Sequence, residues 1–141
     1  MERTPARVKR LVRLLQNEAQ YLQLAEGERD GEASTLGRTL QMVIGRSSAE
    51  EIERCLLGDR EGRPMTHKLF FDAIVALGAR VIELEIHALR EETYFADLRM
   101  ERGGERFTLD CRPSDGIALA LRAGAPVYVS EQVWASAAKG N

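Results

Sequence analysis

The stretch Tyr94-Phe95-Ala96-Asp97-Leu98-Arg99-Met100-Glu101-Arg102-Gly103-Gly104-Glu105-Arg106-Phe107-Thr108-Leu109-Asp110-Cys111 decides how this chain folds. Apolar and polar residues alternate on both sides of a Gly-Gly pair, the period of two half-buried strands joined by a two-residue hairpin turn. Pairing across that turn sets Met100 opposite Phe107, Leu98 opposite Leu109 and Ala96 opposite Cys111, so the apolar faces coincide. The same register sets Asp97 opposite Asp110 on the polar face.

Upstream, Ile82, Leu84 and Ile86 alternate with Glu83, Glu85 and His87, which predicts a third strand. A three-residue turn at Arg90-Glu91-Glu92 would set Glu85 opposite Asp97. Glu85, Asp97 and Asp110 would then form a row of carboxylates across three strands. Like charges facing each other are destabilising. Such a row calls for open solvent, a nearby cation such as Arg99 or Arg112, or a bound divalent metal. Downstream, Arg112-Pro113-Ser114-Asp115-Gly116-Ile117 hands the last strand to a helix closed by Gly124. Pro113 suits the first helical position, and Ser114 and Asp115 suit the first turn, where free N–H groups and the helix dipole favour them. Those N–H groups are equally available to a ligand.

The residues up to about 45 read as strands, with Tyr21–Ala25 and Thr39–Ile44 clearest, joined by a polar loop containing Gly27, Gly31 and Gly37. If Arg7-Val8-Lys9-Arg10-Leu11-Val12-Arg13 is a strand, Arg7, Lys9 and Arg13 share one face. That face reads either as a local nucleic-acid patch or as a basic edge strand protected against aggregation. Ser48-Ala49-Glu50-Glu51 has the spacing of a capping box opening a helix through Ile52 and Leu56 to Gly58. After a loop to Pro64, Thr66 is placed to cap a second helix, with an apolar stripe of Leu69, Phe70, Ala73, Ile74 and Leu77 ending at Gly78. A short strand at Pro126–Val129 and a helix from Ser130 carrying Trp134 complete the chain. The expectation is an α+β fold: one domain over 1–141, its core about 8–134, with three to four helices packed against a mixed, largely antiparallel sheet.

A length of 141 residues suits one hydrophobic core and is short for two. The net charge of −2 exerts no global pull toward nucleic acid, so any such binding must rest on local groups. Walker A, GxGxxG and GxSxG patterns are absent, which removes the common nucleotide-binding and hydrolase-elbow readings. Cys55 and Cys111 fall on apolar positions and read as core thiols in a reducing compartment. Two histidines are too few for a His-rich zinc site. Arg3, Arg7, Lys9, Arg10 and Arg13 interrupt every apolar stretch near the N-terminus, and no run approaches a membrane span, so a cytoplasmic location is expected.

Two stretches together carry a resemblance. Arg63-Pro64-Met65-Thr66-His67-Lys68-Leu69 and Asp110-Cys111-Arg112-Pro113-Ser114-Asp115-Gly116-Ile117-Ala118-Leu119-Ala120 are similar to the paired motifs of the bifunctional nuclease family, also called the DNase/RNase family. Leu77-Gly78-Ala79, Thr93–Ala96 and Ala125–Val129 fit as well, so the likeness runs from about Val8 to Trp134. Three positions depart from it. Lys68 stands where the family often has Asp, Gly116 replaces the usual Ala, and Gln41 replaces a Pro. The resemblance implies a compact α+β domain that self-associates, a dimer being favoured, with activity on DNA and RNA.

Phosphodiester hydrolysis needs an activated water, charge stabilisation at phosphorus and commonly one or two divalent metals on carboxylates. His67 is the natural general acid or base, with Asp110, Asp115 and Ser114 as the other catalytic candidates. Arg63 and Arg112 suit bidentate phosphate binding. Asp110, Asp97 and Glu85 are the candidate ligands for Mg²⁺ or Mn²⁺. The competing reading is a non-catalytic regulatory module of the same fold that holds an anion or a partner at Arg112. In that reading Arg112 pairs with Asp110 or Asp115 to anchor the junction, and His67 is a packing residue.

Overall fold

The computed structural model describes residues 2–27, 37–58 and 65–140. In chain order these form β1 (Arg3–Val12), β2 (Gln20–Glu26), β3 (Thr39–Ile44), α1 (Arg46–Leu57), α2 (Thr66–Ala76), β4 (Ala79–Arg90), β5 (Thr93–Arg102), β6 (Glu105–Cys111), α3 (Pro113–Ala123), β7 (Val127–Ser130) and α4 (Glu131–Gly140). The strands make one sheet in the order β3-β2-β1-β7-β4-β5-β6. Every pairing is antiparallel except β4 with β7. The α+β architecture is therefore the one the sequence predicts.

One face of this sheet is apolar and carries the helices. Val127 and Val129 of β7 pair with Ala6 and Thr4 on one side and with Leu84 and Ile86 on the other. All but Thr4 are buried. Above them, α3 is the most enclosed element, with Ile117, Ala118, Leu119 and Ala120 all inside the core. Helices α1 and α2 pack on α3, and α4 lies over β4 and β7. Trp134 of α4 is enclosed, and its indole N–H donates to Thr4 Oγ1 at 2.9 Å, so neither its large apolar area nor its polar tip is left unsatisfied. The sheet curls around α3 far enough for Tyr94 of β5 to donate its hydroxyl to the Gln41 carbonyl of β3, at 3.1 Å, although five strand positions separate the two.

The hairpin register is as read: Ala96 faces Cys111, Asp97 faces Asp110, Leu98 faces Leu109 and Met100 faces Phe107. Glu85 also faces Asp97, but by a different route. The turn between β4 and β5 has two residues, not three: Arg90 pairs with Thr93, and both Glu91 and Glu92 take positive φ, at 49° and 68°. The odd residue needed to keep the faces aligned sits at His87, in a bulge between Ile86 and Ala88. A second bulge between Val81 and Glu83 turns Val81 into the core and leaves Ile82 half-buried.

Other expectations are corrected where tertiary partners override local signals. Helix α1 begins at Arg46 behind Gly45, so Ser48 and Glu51 lie within it, buried, and bond to distant residues instead of forming a capping box. Thr66 is the first residue of α2, which follows Met65 without a side-chain cap. The apolar stripe of α2 is rotated: Ile74 is buried and Phe71 packs on the core, whereas Leu69, Phe70 and Leu77 are exposed. Strand β1 is internal, between β2 and β7, so it is no edge. Its bulge at Lys9 and its end at Val12 separate Arg7, Lys9 and Arg13. Arg7 donates to the Glu26 carbonyl, Lys9 is exposed, and Arg13 donates to Glu53.

Candidate functional site

The junction between β6 and α3 is built by its sequence. Arg112 is extended, with φ −68° and ψ 141°, and forms the N-cap; Pro113 opens the helix where an N–H is not needed. The first helical hydrogen bond runs from the Gly116 N–H to the Arg112 carbonyl at 3.1 Å. The N–H groups of Ser114 and Asp115 therefore have no partner within the helix, and no side chain caps them. Gly116 is what lets α3 lie this close to the sheet: a Cβ there would stand 2.3 Å from Leu84 Cδ1 and 3.0 Å from Cys111 Sγ.

Asp115 does not cap its own helix. Its carboxylate collects three donors from three parts of the chain. Ser48 of α1 donates to Oδ1 at 3.0 Å, and His67 of α2 places Nε2 2.8 Å from the same oxygen. Arg112 adds a bidentate pair, Nε to Oδ2 at 2.8 Å and Nη2 to Oδ1 at 3.2 Å. The His67 contact, then those of Arg112 and Ser48, hold this carboxyl well below the usual carboxylate range against the opposing effect of burial. His67 is 13% exposed and Asp115 29%, while Arg112 is 73% exposed and reaches solvent. Ser48 and His67 both meet the aspartate, so the order differs from a serine–histidine–aspartate relay, in which histidine is the middle member. Burial, reinforced by Asp115, Asp110 and Asp97, pushes the Cys111 thiol up to about 12, which rules it out as a neutral-pH nucleophile.

Arg112, Pro113 and Ser114 also line a cleft of about 720 Å³, closed on its other sides by β3 and by the turn between β4 and β5. Ser114 is buried to 6% exposure on that wall. His67 and Asp115 are not among the cleft's lining residues. The residues predicted for one site are thus divided. Arg112 and Ser114 face the cleft, while His67 and Asp115 form a latch behind it. Arg63 lies outside the described residues.

Asp110 is elsewhere. Alternation along β6 puts it, with Asp97 and Glu85, on the sheet face opposite the helices. Sequence reading named Arg99 as a cation for that face but missed Arg3. Arg3 and Arg99 both bind Glu83 and Glu85, Arg99 at 2.9 and 2.7 Å, and Glu83 is held below the usual carboxylate range chiefly by Arg3. Asp97 has His87 at 3.5 Å and Arg99 at 3.7 Å. Asp110 makes no hydrogen bond or ion pair among the described residues. Among the described residues no group of three or more His, Cys, Asp or Glu is spaced to hold a metal ion. The row runs as read, but guanidinium groups occupy most of it, and it does not fit Mg²⁺ or Mn²⁺. Ser48 was also missed. It stands 67 residues from Asp115, and its only local signal was the capping spacing that proved misleading.

Two uncharacterized Mycobacterium tuberculosis proteins, MT1877 and Rv1829, are each 43% identical over 100 residues. That alignment covers 71% of this chain and 59% of each relative, so the match spans a little over half their length. No described helix is long and apolar enough to cross a membrane. The bifunctional nuclease domain matches residues 31–140, which include the Asp115 latch, the Arg112 junction and the whole β4–β5–β6 meander, and the chain belongs to that family.

Proposed function

We propose that this protein hydrolyses phosphodiester bonds of DNA and RNA at the N-terminus of α3. The observation that carries this reading is the chain of contacts His67–Asp115–Arg112, which ends on an exposed guanidinium at the mouth of the cleft. Arg112, the free N–H groups of the first turn and the Ser114 hydroxyl would receive the phosphate. Asp115, held by His67 and Ser48, would fix the Arg112 guanidinium at the cleft mouth, and His67, set behind that wall, would act as a positioning residue. The charge that grows on the phosphoryl oxygens would be met by Arg112 and the helix N-terminus. We read the protein as a cytoplasmic, self-associating enzyme.

The test is cleavage of single-stranded DNA and RNA by purified protein, run with Mg²⁺, with Mn²⁺ and with chelator. Cleavage must fall roughly tenfold or more in Arg112→Ala, which loses a charged hydrogen bond to the phosphate, and must fall in His67→Ala as Arg112 loses its support. Equal cleavage by wild type and His67→Ala would mean a contaminating enzyme. A second reading, an anion- or partner-binding module, draws on a specific observation: the Asp115 carboxylate already has three donors, and His67 is off the cleft wall. Oligonucleotides that raise the melting temperature without being cut would favour it.

A further inference from the structure

Strand β6 ends the sheet, and among the described residues no strand pairs with its outer side. Six of its seven residues are exposed, including Phe107 at 41% and Leu109 at 43%. A bare edge carrying two large apolar side chains is a template for another strand, and proteins that remain monomeric ordinarily blunt such an edge. The charged residues of β6, Glu105, Arg106 and Asp110, carry both signs, so they can pair with a second copy instead of repelling it. On the polar face β6 reads Arg106, Thr108, Asp110; on the helix face it reads Phe107, Leu109. Asp110 stands opposite Asp97, a like charge, and has no cation of its own among the described residues. Arg106 is 65% exposed and, among the described residues, has only Glu101, at 3.7 Å.

We propose that β6 is a homodimer interface, in which β6 of a second copy pairs antiparallel with it about a two-fold axis through Thr108. Antiparallel pairing on a two-fold permits only registers whose partner numbers sum to an even value, and the charges select one of them. With Thr108 facing its own copy, Arg106 faces the second copy's Asp110, and by symmetry Asp110 faces the second copy's Arg106. Phe107 then faces Leu109 twice on the helix side. Shifting the axis to Phe107 or to Leu109 separates both charge pairs. The chosen register also uses all seven residues of β6, from Glu105 opposite Cys111 onward. The seven-stranded sheet would become one of fourteen strands. This proposal is independent of the nuclease reading.

Sedimentation equilibrium of the full chain tests it. The wild type must be a dimer at micromolar concentration. Arg106→Asp and Asp110→Arg must each weaken the dimer roughly tenfold or more, because either change sets like charges face to face twice. The double variant carrying both changes must recover most of the wild-type affinity, a result that misfolding of the single variants cannot imitate. Thr108→Cys in a background lacking Cys55 and Cys111 must form an intermolecular disulfide under mild oxidation. A monomeric wild type would overturn the proposal. So would a dimer indifferent to both single reversals, or one that the double variant fails to restore.

Discussion

Asp110 and Asp115 lie five residues apart in one signature, yet the molecule treats them in opposite ways. Asp115 gathers a hydroxyl, an imidazole and a guanidinium from three elements and is locked in place. Asp110 faces another carboxylate on an open sheet edge and binds nothing within its own chain among the described residues. The strand-to-helix junction causes the difference. Alternation sends Asp110 to the polar side of the sheet, and the first turn of α3 then swings Asp115 to the helix side. Proximity in sequence says little about shared chemistry where a chain changes its period from two to 3.6.

The contrast is most easily broken at Asp115. Asp115→Ala should destabilise the domain by about 3 kcal/mol, because it leaves His67, Ser48 and Arg112 without the charged acceptor they share. Urea denaturation checks this, and a loss no larger than that of an average surface substitution would remove the latch from the account. Acid offers a gentler version. The Asp115 carboxyl is depressed in the folded state, so its contribution is complete above the unfolded value, about pH 4, and drains away as pH falls toward the folded value. Wild type should therefore lose its advantage over Asp115→Asn below about pH 4, and the two midpoint curves should converge there. Arg112→Ala should cost under about 1 kcal/mol of stability, since the side chain is largely in solvent. If the cleft receives phosphate, that variant should also lower the salt slope of oligonucleotide binding by roughly one. Asp110→Asn should leave the stability of the separated monomer within about 0.5 kcal/mol, on the favourable side, because it relieves the repulsion with Asp97.

These expectations rest on a fold that was largely readable. The hairpin register was legible because Gly103-Gly104 fixes a two-residue turn and only one alignment unites the apolar faces. The junction was legible because Pro113 and Gly124 mark both ends of α3. The bulge at His87 was not, since an extra residue in a strand leaves no trace in a pattern of alternating polarity. The face of α2 was misread for a related reason. A helix rich in Leu, Phe and Ala offers several stripes, and only the packing of Phe71 and Ile74 selects one. The candidate site divided along the same line. Local chemistry identified Arg112, Asp115 and His67, but Ser48 and the neutralising Arg3 enter from distant segments that carry no motif.

Among the described residues, the four residues of β7 supply the strand pairing that joins the β1–β2–β3 and β4–β5–β6 halves of the sheet, and they follow all six other strands in chain order. During synthesis, β1 and β4 must each wait with an unpaired edge until residues 127–130 have left the ribosome. Each three-stranded half is a local meander that can form early. Their union depends on contacts as distant as Thr4 with Trp134, 130 residues apart, so the joining step should govern the folding rate. A ribosome that stalls before Val127 would release two sticky half-sheets tethered to one another, and such nascent chains should depend on chaperones far more than the finished protein does.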